Sequence, residues 1–244
     1  GQSWGLPMFS LTEMEASGFQ WWRRRIRKAR AQFDIIRLDH IIGFFRTWVF
    51  PRDSAPHFEP AEEEKHIQRG RLFLDLFLEE AGSCMLVAED LGVIPWFVYE
   101  QLNACHVPGI KVLRWQKKDN HFLHPREYPA LSLATTGTHD TSSLAFWWNH
   151  ISHEERFQFL TAFNEKDALS SDTCASPFSD VIHQATLRGL MAAESVMAII
   201  PFCEGVRGMS CSIVMLTGRA RCAQRRPVCA AESAFTFSFQ RLQS

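Results

Sequence analysis

The chain has 244 residues, 46% of them apolar, and a formal net charge of −1, which suits one large domain, or most of one, with a sizeable core. That balance argues against nucleic acid or an acidic membrane surface as the main partner, since either would want a basic excess, and it leaves neutral substrates. No run approaches the ~18–20 apolar residues that span a bilayer, and the opening GQSWGLPMF lacks a signal-peptide pattern, so no membrane partner and a cytoplasmic location are the expectations.

In chain order, Ser10 is an N-cap candidate with Glu13 at the capping-box spacing. A helix is expected from there to Gln32, with Met14, Phe19, Trp22, Ile26 and Ala29 on one side. The basic run Arg23 to Lys28 reads as a solvated helix face. Phe33 to Asp39 reads as a strand, and a Pro- and His-rich loop follows it. A helix over Ala61 to Ala81 opens on Glu62, Glu63 and Glu64, which complement its dipole, and Gly82 sits at its end. Cys84 to Glu89 is a second strand, Pro95 to Asn103 a short helix, and Ile110 to Trp115 a third strand. A strand ending at Asp140, helices over Ser142 to Asn149 and Ser179 to Ala192, and a strand over Val196 to Ile200 complete the pattern.

Three of these apolar runs end in a carboxylate: Asp39, Glu89 and Asp140, about fifty residues apart. Runs that are apolar on both faces belong to buried parallel strands, whose carboxyl ends are where ligands bind. Repetition of strand, acid-bearing loop and helix builds a parallel sheet. The expected fold class is α/β: five strands suit part of a (β/α)8 TIM barrel better than a whole one.

Retaining cleavage of a glycosidic bond needs two carboxyl groups about 5–5.5 Å apart, one ionised to attack and one protonated to release the leaving oxygen. Arg37 precedes Asp39 by two residues, so both project from one face of the strand and the guanidinium orients the aspartate as a nucleophile. Glu89 follows Leu86, Val87 and Ala88, an apolar setting that suits a general acid. Asp140, beside His139, is placed to hold sugar hydroxyls as positive charge develops on the ring. The bland alternative for each acid is the N-cap of the next helix. His40 and His139 next to carboxylates also raise a metal-dependent hydrolase, but the HxH and HxxxH patterns of such barrels are missing, and no metal site is expected. No GxGxxG or Walker pattern surrounds Gly43, Gly92 or Gly137, so no nucleotide site is expected either. Sugar faces stack on flat apolar surfaces; Trp48 and Trp96 read as core, and Trp115, at a strand end, as the better platform.

At these residues the chain resembles the 4-α-glucanotransferases, or amylomaltases, of glycoside hydrolase family 77. The segments that carry the resemblance are GQSWGLPMF, RLDHIIGFFR at 37–46, VAEDLGVIP at 87–95, PGIKVLRW at 108–115, EYPALSLATTGTHDT at 127–141 and AIIP at 198–201, in family order. The resemblance implies a barrel of the α-amylase superfamily type, present as its C-terminal half. It implies Asp39 as nucleophile, Glu89 as acid/base and Asp140 as transition-state stabiliser. Arg37, His139, Trp4 and Trp115 are implied as substrate-binding residues. Maltooligosaccharides or α-1,4-glucan are the implied partners, and no cofactor is needed.

Residues 1–201 are thus expected to be the C-terminal part of a catalytic barrel. Residues 202–244 read as an atypical tail, either a shifted reading frame or misjudged gene end, or a lineage-specific extension. In that tail Cys203, Cys211, Cys222 and Cys229 cluster, whereas all eight tryptophans lie at or before Trp148. The seven cysteines show neither CxxC nor zinc spacing and are expected to be reduced thiols. An α-glucan hydrolase on the same scaffold and a non-catalytic glucan-binding remnant are the alternatives.

Overall fold

The computed structural model describes residues 9–163 and 171–201, and the main chain of 214–217. The chain divides into two compact units, residues 1–109 and 110–244, each with its own core.

In the first unit, Ser10 caps α1 (Leu11–Ala16) by accepting a hydrogen bond from the Glu13 amide at 3.3 Å. The helix expected to run on to Gln32 breaks instead at Gly18 and Phe19, both left-handed (φ 61° and 55°), and restarts as α2 (Gln20–Arg30). The break lets Phe19 drop into the core, where its ring meets Phe73 at 5.4 Å. β1 (Ile35–Leu38) leads through a 3-10 turn (Ile41–Phe44) into a hairpin, β2 (Thr47–Val49) and β3 (His57–Glu59), where only a loop was expected. Trp48 stacks edge-on against Phe58 at 4.7 Å, and the Arg46 guanidinium lies 4.1 Å from the Phe58 ring centre.

α3 (Glu63–Ala81) buries Phe73, Leu74 and Phe77. Gly70 is what brings this helix close: a Cβ there would lie 2.1 Å from the buried Phe45 ring. β4 (Met85–Ala88) runs parallel to β1, Ile36 opposite Leu86 and Leu38 opposite Ala88. After α4 (Trp96–Ala104), β5 (Gly109–Val112) begins with Gly109 paired to Ala88.

The basic run on α2 is not simply solvated. Arg23 and Arg27 grip the carboxylate of Glu80, itself only 4% exposed, with Arg23 Nη1 and Arg27 Nη2 at 2.6 and 2.8 Å from Oε1. Arg30 donates to the Glu80 carbonyl at 2.8 Å, so α2 is tied to the end of α3. Hydrogen bonds from Arg27 and then Arg23 hold the Glu80 carboxyl at about 2, below the ordinary 4.5. A depressed folded value favours folding above the ordinary value and loses that contribution as pH falls from there through about 2. Glu80→Gln is expected to cost about 1 kcal/mol at neutral pH, because Arg27 is half exposed and solvent screens the pair. Urea unfolding from pH 6 down to about pH 2 checks this: the variant's midpoint should fall less steeply than the wild type's over the acid range.

In the second unit, a 3-10 turn (Leu113–Trp115) leads to the hairpin of β6 (Lys117–Lys118) and β7 (His121–Phe122). Its tip residues, Asp119 and Asn120, both take positive φ (50° and 64°), as a tight two-residue turn requires. β8 (Ser132–Thr135) is buried at every position and pairs in parallel with β9 (Met197–Pro201), Leu133 opposite Met197. β10 (Val214–Thr217) pairs antiparallel with β9. Otherwise the tail after Pro201 lies outside the described residues.

Between β8 and β9 come α5 (Leu144–His150), α6 (His153–Ala162), α7 (Ser171–Ala175) and α8 (Asp180–Met191). Ser143 and Ser152 cap α5 and α6 through the amides of Phe146 and Glu155. Phe159, fully buried, gathers Phe122, Trp147 and Phe163 at ring distances of 5.2, 4.9 and 4.8 Å.

Candidate active site

Asp39 and Glu89 come directly after Leu38 and Ala88, which face each other in register on parallel strands. The main chain extends that pairing past the strand ends: Glu89 N donates to Leu38 O at 2.9 Å, and Ile41 N donates to Glu89 O at 3.1 Å. The two acids therefore stand side by side at the carboxyl ends of neighbouring strands.

Arg37 Nη2 lies 2.6 Å from Asp39 Oδ1, with the aspartate side chain 72% exposed. The expected same-face placement is what makes this contact possible. At that exposure the pair contributes little stability, and its use is to fix one carboxylate oxygen and leave the other to face solvent.

Glu89 is held differently. Its Oε2 accepts from the His40 amide at 2.7 Å and its Oε1 from the Leu91 amide at 3.2 Å. His40 takes φ 45°, a left-handed turn that is uncommon outside glycine, Asn, Asp and His, and this turn aims its N–H back at the neighbouring strand. Sequence reading found the apolar residues before Glu89 but not these two peptide donors, because no side chain encodes them.

Asp90, 4% exposed, lies against Gly109, where a Cβ would come within 2.3 Å of its carboxylate. Burial and then the Asp90 charge raise the Tyr99 phenol above its ordinary value.

Asp140 belongs to the second unit. Its strand ends at Thr135, not at Asp140 as expected, and residues 136–141 form a loop held by threonine hydroxyls. Thr135 Oγ1 donates to Gly137 O at 2.8 Å, Thr138 N donates to Thr141 Oγ1 at 2.9 Å, and Asp140 N donates to Thr138 Oγ1 at 3.3 Å. His139 Nε2 sits 3.2 Å from Asp140 Oδ2, both side chains well exposed. Arg114, buried, donates to Ser142 O at 2.9 Å and to Thr136 O at 3.3 Å, so it spans this loop from end to end. Sequence reading passed over Arg114; its place just before Trp115 was the available signal.

Trp115 ends the 3-10 turn rather than a strand and is 48% exposed. Trp96, expected in the core, is 59% exposed as the first residue of α4, and Trp48 is half-buried on its hairpin. Trp4 lies outside the described residues. Among the described residues, no group of three or more His, Cys, Asp or Glu is placed to hold a metal ion, and no helix is long and apolar enough to cross a membrane.

The family model for 4-alpha-glucanotransferases matches residues 1–212. This chain belongs to that family. It is 34% identical over 168 residues to the 4-alpha-glucanotransferase of Chlamydia caviae, covering 67% of this chain and 32% of that one. To the chloroplastic/amyloplastic enzyme of Solanum tuberosum it is 29% identical over 207 residues, covering 82% and 33%. The chain thus spans about a third of the length of these curated relatives. Among solved structures it is similar to amylomaltase from Streptococcus agalactiae in complex with acarbose, with a TM-score of 0.62, 21% identity and coverage of 82% of this chain and 38% of that one. Corynebacterium glutamicum amylomaltase gives a TM-score of 0.60 at 18% identity over 76% of this chain and 30% of that one. The fold is accordingly that of part of a (β/α)8 barrel, as the sequence led us to expect.

Proposed function

We propose that this chain carries the catalytic carboxylates of a 4-alpha-glucanotransferase, which moves an α-1,4-linked glucan segment between maltooligosaccharides. The observation that carries this reading is the pair of acids on register-paired strand ends, Asp39 fixed by Arg37 and Glu89 by two peptide N–H groups.

Asp39 attacks the anomeric carbon while Glu89 gives its proton to the departing glycosidic oxygen, leaving a β-linked glucosyl-enzyme. Glu89 then takes the proton of an incoming 4-hydroxyl, whose oxygen displaces Asp39 and restores the α configuration. Asp140 stabilises the charge that builds on the ring, and His139 holds a sugar hydroxyl. Trp4 and Trp115 offer apolar faces to flanking sugars; the half-exposed state of Trp115 supports its part.

The substrates are maltooligosaccharides or longer α-1,4-glucan, which places the reaction in starch, glycogen or maltodextrin metabolism. The scheme calls on carboxyl groups alone, without metal or cofactor, and involves neither nucleic acid nor membrane. A reducing compartment, the cytoplasm, suits the free thiols Cys84, Cys105 and Cys174.

Incubating the full polypeptide that carries these residues with maltotriose tests the reading. Glucose together with products longer than the trisaccharide is the expected result. Glucose and maltose alone would make it a hydrolase on the same scaffold, and binding without turnover a non-catalytic glucan-binding protein.

A further inference from the structure

A buried guanidinium is costly unless its donors are used, and Arg114, only 6% exposed, directs both terminal nitrogens to one loop. Nη1 reaches Ser142 O at 2.9 Å and Ser142 Oγ at 3.3 Å, while Nη2 reaches Thr136 O at 3.3 Å. The guanidinium carbon lies 5.5 Å from the Trp147 ring centre, so the fork packs against a partly buried indole of α5. The loop it spans contains His139 and Asp140, both exposed and joined at 3.2 Å. Within the loop, Thr138 and Thr141 latch onto each other. Those bonds shape the turn, whereas Arg114 ties both its ends to the segment that follows β5.

We propose that Arg114 is the positioning residue for Asp140, holding the Thr136–Ser142 loop so that this carboxylate meets the charged transition state. The inference rests on the glucanotransferase reading above and deepens it. A rigid planar fork is what the task requires. Two carbonyls at opposite ends of a loop are reached together by two nitrogens of one guanidinium, and lysine, with a single ammonium, cannot reproduce that span.

A double-mutant cycle tests the claim. In the full polypeptide, Arg114→Lys and Arg114→Gln are each made alone and in an Asp140→Asn background. Turnover is measured with α-maltosyl fluoride, a reactive donor that keeps weakened variants measurable. Misplacing a catalytic group by about 1 Å costs up to about 10²-fold, so each Arg114 variant alone should lose roughly 10- to 100-fold in kcat/KM. With Asp140 already replaced, the same changes should cost less than about threefold, because the group being positioned is gone.

An equal loss in both backgrounds, or loss of the folded state in both Arg114 variants, would assign Arg114 to the fold alone and overturn the proposal. So would no loss in either background. If Asp140→Asn left turnover intact while Asp39→Asn abolished it, the Asp140 role would fall, and this inference with it, but the glucanotransferase reading would stand. If the unaltered polypeptide turned over neither maltotriose nor the fluoride, that reading itself would fail.

Discussion

Asp39→Asn should lower transfer from maltotriose by at least about 10⁴-fold, the scale on which loss of a catalytic nucleophile registers. The amide keeps the volume of the carboxylate, and its oxygen can still accept from Arg37 Nη2, which now sits 2.6 Å from Asp39 Oδ1. The strand end is therefore expected to stay as it is, and maltotriose should bind with an affinity within about threefold of the unaltered protein's. What disappears is the anionic oxygen that forms the bond to the anomeric carbon. Mass spectrometry after a slow-turnover fluorinated glycosyl fluoride gives a second readout: the wild-type peptide spanning Asp39 should gain one sugar, and the variant peptide none. Retained turnover would show that another residue attacks.

Glu89→Gln is expected to separate two kinds of donor. With maltotriose the leaving oxygen needs a proton, and the loss should fall within about 10²- to 10⁴-fold. With α-maltosyl fluoride the leaving group needs none, so formation of the covalent intermediate should drop by less than about tenfold. It should nevertheless drop, for a reason visible in the geometry. Oε1 and Oε2 each accept a peptide N–H, from Leu91 and His40. An amide has only one oxygen, so its nitrogen is turned toward a donor and the side chain must shift. Single-turnover rates with the two donors check the prediction; equal losses would remove Glu89 from the role of proton donor.

That Asp39 and Arg37 share a face follows from the two-residue period of a strand, and the sequence sufficed to place them in contact. The parallel strands around Asp39 and Glu89 were also readable, because they are short apolar runs between helices. Glu89 was recognised for its apolar approach, yet what orients it is a pair of backbone donors, one made available by the left-handed turn at His40. Backbone donors carry no residue signature.

The loop before Asp140 departs from the expected strand for a related reason. Its β-branched threonines prolong the apolar LSLA run and so read as strand, but the threonine hydroxyls bond back to their own main chain and end the strand at Thr135. The hairpin at 47–59 leaves little trace in the sequence because its strands are three residues each, set among prolines. The helix break at Gly18 and Phe19 looked like one more turn of an amphipathic pattern, since a phenylalanine at positive φ is disfavoured locally and is held there by its contact with Phe73.

The bond from His40 to Glu89 has a bearing on how the neighbourhood can drift over evolutionary time. Because the donor is a peptide group, glycine, asparagine or aspartate, which accept the left-handed turn, should keep the acid's anchor, whereas β-branched side chains strain that turn and proline, which lacks the hydrogen, deletes the bond outright. Selection on the orientation of the acid thus bears on the shape of the chain at position 40 more than on the chemistry of its side chain.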